Sequence, residues 1–249
     1  MEAPGASRPQ LYVDMVSQPA RACLLLVKLA ALPVEVKVVN IAKGGNRAPE
    51  YVALTGGKTG KNVPILVDAG GTVLESCTIL RYLCRKFDLE SNDSFYPDNL
   101  LTRARVDAAL DWHHSALRPG CAGLAWHFVV SKRLGRPSSQ EKLETAQQLT
   151  VDSLDRMENY WVKDRAFVAG DKLSIADLVL SQEIQQLVLL DLAQDGTDLE
   201  EVLAPYAGVR NWLQRVRAAC GSHYEAATKL LFKSAARRKG AVAAVRPKL

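Results

Sequence analysis

Apolar positions in the first third of the chain fall alternately into short runs and helix-spaced stripes. Leu11, Val13 and Val16 lie in a strand-length segment, residues 10–16, and a helix follows from Pro19. A second strand is predicted over 34–39. A stretch punctuated by Gly, Asn and Pro runs over 42–62, and further strands lie near Ile65 and Val73. Ser76 then opens a helix with Ile79, Leu80 and Leu83 on one face.

Beyond residue 100 the period is helical almost throughout, as in the face made by Val106, Ala109, Leu110 and His113. Ser138-Ser139-Gln140-Glu141 opens a helix whose apolar surface is expected from Leu143, Leu149, Val151, Leu154 and Met157. Ser174-Ile175-Ala176-Asp177 is a capping box with Asp at the reciprocal position. There is no internal repeat. The order strand, helix, strand, strand, strand, helix predicts an α/β thioredoxin-like domain over 8–88, followed by a linker over 89–100. An all-α helical bundle over 101–232 and a basic tail over 233–249 complete the expected organisation.

Composition changes this picture little. With 249 residues and 48% hydrophobic content the chain can bury a sizeable core. No apolar run approaches the ~20 residues that span a bilayer, so no membrane partner is expected. The five cysteines, Cys23, Cys77, Cys84, Cys121 and Cys220, are odd in number and lack close pairs, which fits buried thiols in a reducing compartment. The net charge of +5 comes from the tail: residues 226–249 hold seven basic and no acidic side chains, leaving 25 basic against 27 acidic elsewhere. A basic nucleic-acid-binding surface is therefore not indicated.

Candidate chemistry begins at Ser17. Pro19 suits the first turn of a helix, so Ser17 lies at or beside the N-cap, where unpaired N–H groups and the helix dipole stabilise an anion. On this segment alone a plain cap is the favoured reading. Glu75-Ser76 stands at a second helix start, and two such starts in one small domain suggest a charged ligand. Thr55-Gly56-Gly57-Lys58-Thr59-Gly60-Lys61-Asn62 superficially resembles a phosphate loop, but the glycine spacing is wrong and no strand-length run precedes it. His113 and His114 are expected to point about 100° apart on a helix, with no metal-ligand spacing around them, and no metal is assigned.

Taken together, Leu11-Tyr12-x-Asp14-x-x-Ser17-Gln18-Pro19-x-Arg21-Ala22, Val63-Pro64-x-Leu66 and Leu74-Glu75-Ser76-x-x-Ile79-Leu80-x-Tyr82-Leu83 resemble the glutathione-binding half of theta-class glutathione transferases. Tyr96-Pro97-Asp98, Arg103-Ala104-Arg105-Val106-Asp107, the run from Trp112 to Arg118, Ala125-Trp126-His127 and the run from Phe167 to Leu178 extend the likeness to about Phe232. The resemblance implies a glutathione transferase, with glutathione as co-substrate and a homodimer as the assembly. It implies that Ser17 is the thiol activator and that Gln18, Asn46, Asn62, Val63, cis-Pro64, Glu75 and Ser76 bind glutathione. Arg118 and Trp126 would line the pocket of a hydrophobic electrophile.

Two departures bear on affinity. Asn46 stands where theta sequences commonly carry histidine. The loop over 56–64 is longer by about two residues and has Asn62 where lysine is usual, so that Lys58 or Lys61 would have to substitute. The electrophile could be an organic hydroperoxide, an alkyl halide or an activated alkene. A non-catalytic interaction module on the same fold is the alternative. Location is expected to be cytoplasmic, or peroxisomal through Pro247-Lys248-Leu249, which is similar to a Ser-Lys-Leu import address.

Overall fold

The computed structural model describes residues 8–57, 62–90, 95–136, 138–192 and 199–245. Lys58, Lys61 and the tripeptide 247–249, on which expectations were placed, lie outside them. Strand β1 (Gln10–Val13) is central to a four-stranded sheet of order β2-β1-β3-β4. It runs parallel to β2 (Glu35–Val38), with Leu11 opposite Val36, and antiparallel to β3 (Ile65–Asp68), with Leu11 opposite Leu66. Strand β4 (Gly71–Val73) pairs antiparallel with β3 and closes the edge.

Strand β1 ends three residues short of the expected limit because Asp14 redirects the backbone. Its carboxylate accepts the N–H groups of Val16 at 2.8 Å and Ile41 at 2.9 Å, and its carbonyl accepts that of Ser17 at 3.0 Å. These bonds turn the chain directly into α1 (Gln18–Leu29), capped by Ser17. Residues 42–62 contain two 3₁₀ turns, Ile41–Lys43 and Gly45–Arg47, and the short helix α2 (Pro49–Leu54). A helix, not a strand, therefore precedes the lysine-rich loop, which removes the phosphate-loop topology.

Helix α3 (Ser76–Lys86) buries Cys77, Ile79, Leu80, Leu83 and Cys84 against the sheet and α1. Its polar side is tied to β3 by Asp68, which accepts from Tyr82 Oη at 2.6 Å and faces Lys86 Nζ at 2.9 Å.

The second half is helical as expected. A long rod comprises α4 (Leu100–Trp112), a π turn at His113–Leu117, α5 (Arg118–Ala125), a second π turn at Trp126–Val130, and α6 (Ser131–Arg133). Helix α7 (Gln140–Arg156) packs along α5. Gly120 permits that approach, since a Cβ there would lie 2.7 Å from Thr150 N. The buried stripe of α7 is Leu143, Ala146, Thr150, Ser153 and Leu154. Val151, one residue off that 3.6-residue period, is exposed, against the expectation.

Helix α8 (Ile175–Gln185), buried along its whole length, runs through the centre and continues as a 3₁₀ segment, Gln186–Leu192. Asp177 starts it, accepting Ser174 N at 2.9 Å, Ser174 Oγ at 2.7 Å, Val168 N at 2.9 Å and Trp212 Nε1 at 2.8 Å. Four donors on a fully buried carboxylate make it a structural keystone. Helices α9 (Leu199–Leu203), α10 (Ala207–Cys220) and α11 (Ser222–Val245) complete the layer. All five cysteines are free and buried. No helix among the described residues is long and apolar enough to cross a membrane.

The two halves are joined through α1 and α8. Arg21, with no exposed surface, donates Nε to Gln182 Oε1 at 2.8 Å, Nη1 to Val16 O at 2.8 Å and Nη2 to Gln186 Oε1 at 2.9 Å. Burial lowers its pKa to about 10 despite nearby Tyr224, Glu183 and Asp14. A second pin joins α3 to α4, Arg81 Nε meeting Asp107 Oδ1 at 2.7 Å.

Candidate active site

Between the halves opens a cleft of about 390 Å³, lined by Ser17, Pro19, Ile41, Asn46, Asn62, Val63, Pro64, Ile65, Leu74, Glu75, Ser76, His113, His114 and Arg118. Its floor is the N-terminus of α1. Pro19 is the second residue of that helix and has no N–H for the cap to accept, and Ser17 makes no capping hydrogen bond. A hydroxyl at a helix start is thus left available to the cleft, beside the positive end of the dipole.

The opposite side is the start of α3. Glu75 is held at φ +66°, a backbone region that costs a side-chain-bearing residue ~1–3 kcal/mol. The turn it makes brings both Glu75 and Ser76 into the cleft wall. The neighbouring Val63–Pro64 bond is cis, as the resemblance implied. Asn62, whose carbonyl accepts from Tyr51 Oη, lies immediately before it. Asn46 is buried in the middle of the second 3₁₀ turn.

The third wall comes from the helical half, at the π turn His113–Leu117. Pro119 follows one residue beyond it. A proline inside a regular helix loses its own bond and clashes with the carbonyl four residues back, Ser115 here; the wider turn relieves both, with Arg118 N bonding His113 O five residues back. In such a turn residues five apart stack, so His113 and Arg118 share a wall. The histidine rings, expected to diverge, meet edge to face with centroids 5.0 Å apart.

Beneath this wall sits Glu183 of α8, 1% exposed. Its carboxylate accepts from Arg118 Nη1 and, at 3.2 Å, from Gln18 Nε2. His113 Nε2 comes within 3.0 Å of Oε1 without the alignment of a directed hydrogen bond. Burial opposes the Glu183 charge, yet His113 and Arg118 outweigh it and hold the carboxyl below its ordinary range. His114, exposed to the cleft, is held below its ordinary value by burial and by His113 and Arg118.

Eight of the ten residues singled out in the sequence converge on this cleft: Ser17, Asn46, Asn62, Val63, Pro64, Glu75, Ser76 and Arg118. Gln18 and Trp126 do not line it. The Gln18 amide is turned onto Glu183, away from the cleft. Trp126 lies in the second π turn, 42% exposed. Sequence reasoning missed Glu183, since a carboxylate six residues past a capping Asp carries no local signal. It also missed His113 and His114 as wall residues, because the π turn is signalled only by Pro119.

This is the architecture of one family. Residues 9–85 match the model of the "Glutathione S-transferase, N-terminal domain" and residues 140–215 that of the "Glutathione S-transferase, C-terminal domain". The chain belongs to the glutathione S-transferase family. Within it the likeness is to the theta class. The chain is 34% identical to glutathione S-transferase T1 of Arabidopsis thaliana over 226 residues, 90% of this chain and 89% of that one. To human glutathione S-transferase theta-1 it is likewise 34% identical, over 228 residues, with the same coverage. Among solved structures, human glutathione transferase theta-2 in complex with glutathione and an unknown ligand superposes with a TM-score of 0.81 at 28% identity, covering 96% of this chain and 92% of that one.

Proposed function

We propose that the protein is a glutathione transferase in which Ser17 holds the glutathione thiolate for attack on an electrophile. The observation that carries this reading is the Ser17 hydroxyl, uncommitted as a cap at the N-terminus of α1 and opening on the cleft. A hydroxyl donor and a helix dipole favour a thiolate over a thiol, which is the activation this chemistry needs. No covalent enzyme intermediate is involved.

In this reading Glu75 and Ser76 take the ammonium and carboxylate of the γ-glutamyl end. The Val63 backbone pairs with the peptide portion, and Asn46 and Asn62 donate hydrogen bonds toward the glycine end. Arg118, fixed by Glu183, stands over the thiol and the second substrate. The electrophile is a hydrophobic alkyl halide, activated alkene or organic hydroperoxide, the last reduced at the expense of glutathione. Exposed Leu100 and Leu101 at the start of α4 support a homodimer, which sedimentation tests. Import into peroxisomes through 247–249 is tested by an N-terminal fluorescent fusion with and without those residues.

The deciding experiment is retention on immobilised glutathione, followed by thiol-consumption assays with one electrophile of each class. Retention and turnover with at least one are expected. Retention without turnover by any would replace the enzyme with an interaction module.

A further inference from the structure

We propose that Cys77, His113 and His114 form a binding site for a soft divalent metal ion, zinc being the natural occupant, in the wall of the cleft. One ligand atom from each of these residues lies within 4.8 Å of the others, the one such group of three or more ligands among the described residues. The three come from two domains: Cys77 is the second residue of α3, while the histidines are the first two of the π turn. Nothing in their spacing announces the cluster, and it reverses the expectation that these histidines hold no metal.

The second observation concerns His113. Its ring is 1% exposed, yet neither nitrogen has a well-directed hydrogen-bond partner. A buried polar ring in that condition costs free energy unless something takes its lone pair. Nε2 lies 3.0 Å from Glu183 Oε1, and in the proposed site Nδ1 takes the metal. A metal on Nδ1 would fix the tautomer with the proton on Nε2 and align it on Glu183. Histidine bound to metal on one nitrogen and to a carboxylate on the other is the usual arrangement around zinc. Glu183 is therefore the outer partner of the site.

The dimensions also fit. Zinc takes sulfur at ~2.3 Å and imidazole nitrogen at ~2.0–2.1 Å in a tetrahedron, placing ligand atoms about 3.5 Å apart. A contraction on the order of 1 Å is within reach of side-chain torsions. Burial pushes the Cys77 thiol up to about 11, with Arg81 pulling the other way, so metal must displace its proton. In that step the S–H bond breaks, the proton leaves to buffer, and the S–metal bond forms without any change of oxidation state. His114, exposed to the cleft, marks the entry route and leaves the fourth position facing solvent or a cleft ligand.

The site is independent of the glutathione reading and is tested without glutathione. The full chain, stripped with chelator, is titrated with Co²⁺ and then Zn²⁺. One equivalent of Co²⁺ should give tetrahedral d–d bands and a thiolate-to-cobalt charge-transfer absorption, both displaced by Zn²⁺. C77S should abolish the charge-transfer band and weaken binding by more than roughly 100-fold, beyond what loss of an outer partner costs. H114A, at an exposed position, should weaken it at least ~10-fold, with circular dichroism unchanged in both variants. Zn²⁺ should raise the unfolding midpoint of the wild type and not that of C77S. A wild type lacking the charge-transfer band at stoichiometric Co²⁺, or a C77S protein binding as tightly, would overturn the proposal.

Discussion

Gln18 and Glu183, 165 residues apart, meet in the buried interface with Nε2 3.2 Å from Oε2. The same carboxylate holds Arg118, so the helix start that carries Ser17 and the cation on the wall from the helical half are referenced to one group. Glu183→Gln keeps the shape and removes the charge. Stability should fall by about 1–3 kcal/mol as a charge-assisted network becomes neutral. Turnover should fall more than glutathione affinity, because Arg118 loses its fixed position. Thermal unfolding and a kcat-against-KM comparison check both halves of this expectation.

Ser17→Ala separates catalysis from capping. Since the hydroxyl makes no capping bond and Pro19 offers no N–H, the variant should lose at most about 0.5 kcal/mol, the low end for caps. Conjugation should drop by about 10²-fold or more. Urea unfolding and steady-state assays with several electrophiles measure the two effects, and a variant keeping most of its turnover would remove Ser17 from the mechanism.

Ser76→Ala should weaken glutathione by roughly 1–3 kcal/mol through one lost charge-assisted bond. The ligand-free melting temperature should stay within a few degrees. Calorimetric titration with unchanged affinity would reduce Ser76 to the first residue of a helix.

Asp68 makes stability depend on acid. Burial opposes its charge, but Tyr82 and Lys86 outweigh burial and hold the carboxyl below its ordinary range. With the folded value depressed, the contribution is present above the unfolded carboxylate pKa of ~3.9 and is lost as pH falls through the lower folded value. Asp68→Asn should cost about 1–2 kcal/mol at neutral pH, and the difference from wild type should shrink below about pH 4. Denaturant titrations across that range would show it, and a gap that held constant to pH 2 would contradict it.

Most of the fold was legible because its signals are local. The strand–helix alternation, the Pro19 and Ser174 helix starts and the apolar stripe through Val106, Ala109 and Leu110 need only neighbours in sequence. Of the eight candidate residues that line the cleft, Ser17, Glu75 and Ser76 stood out at helix starts, whereas Asn46, Asn62, Val63, Pro64 and Arg118 followed from the family resemblance alone. What was hidden depends on long-range packing. Strand β1 stops at Val13 because Asp14 finds Ile41, 27 residues on. Gln18 turns from the cleft because Glu183 lies behind it, and Cys77 meets the two histidines only once α3 is docked on the rod.

Arg21 has a consequence for how the molecule comes apart. Its guanidinium lies in the thioredoxin-like half, while Gln182 and Gln186, two of its acceptors, lie in the helical half. Parting the halves would remove those acceptors and leave the guanidinium with the carbonyls of Met15 and Val16, nearby Asp14 and incoming water. Hydrating that charge wets the buried face of α1, whose inner residues form the heart of the first core. Loss of the interface and loosening of the first core are thereby coupled through α1, the one helix that carries Arg21 and packs on the sheet.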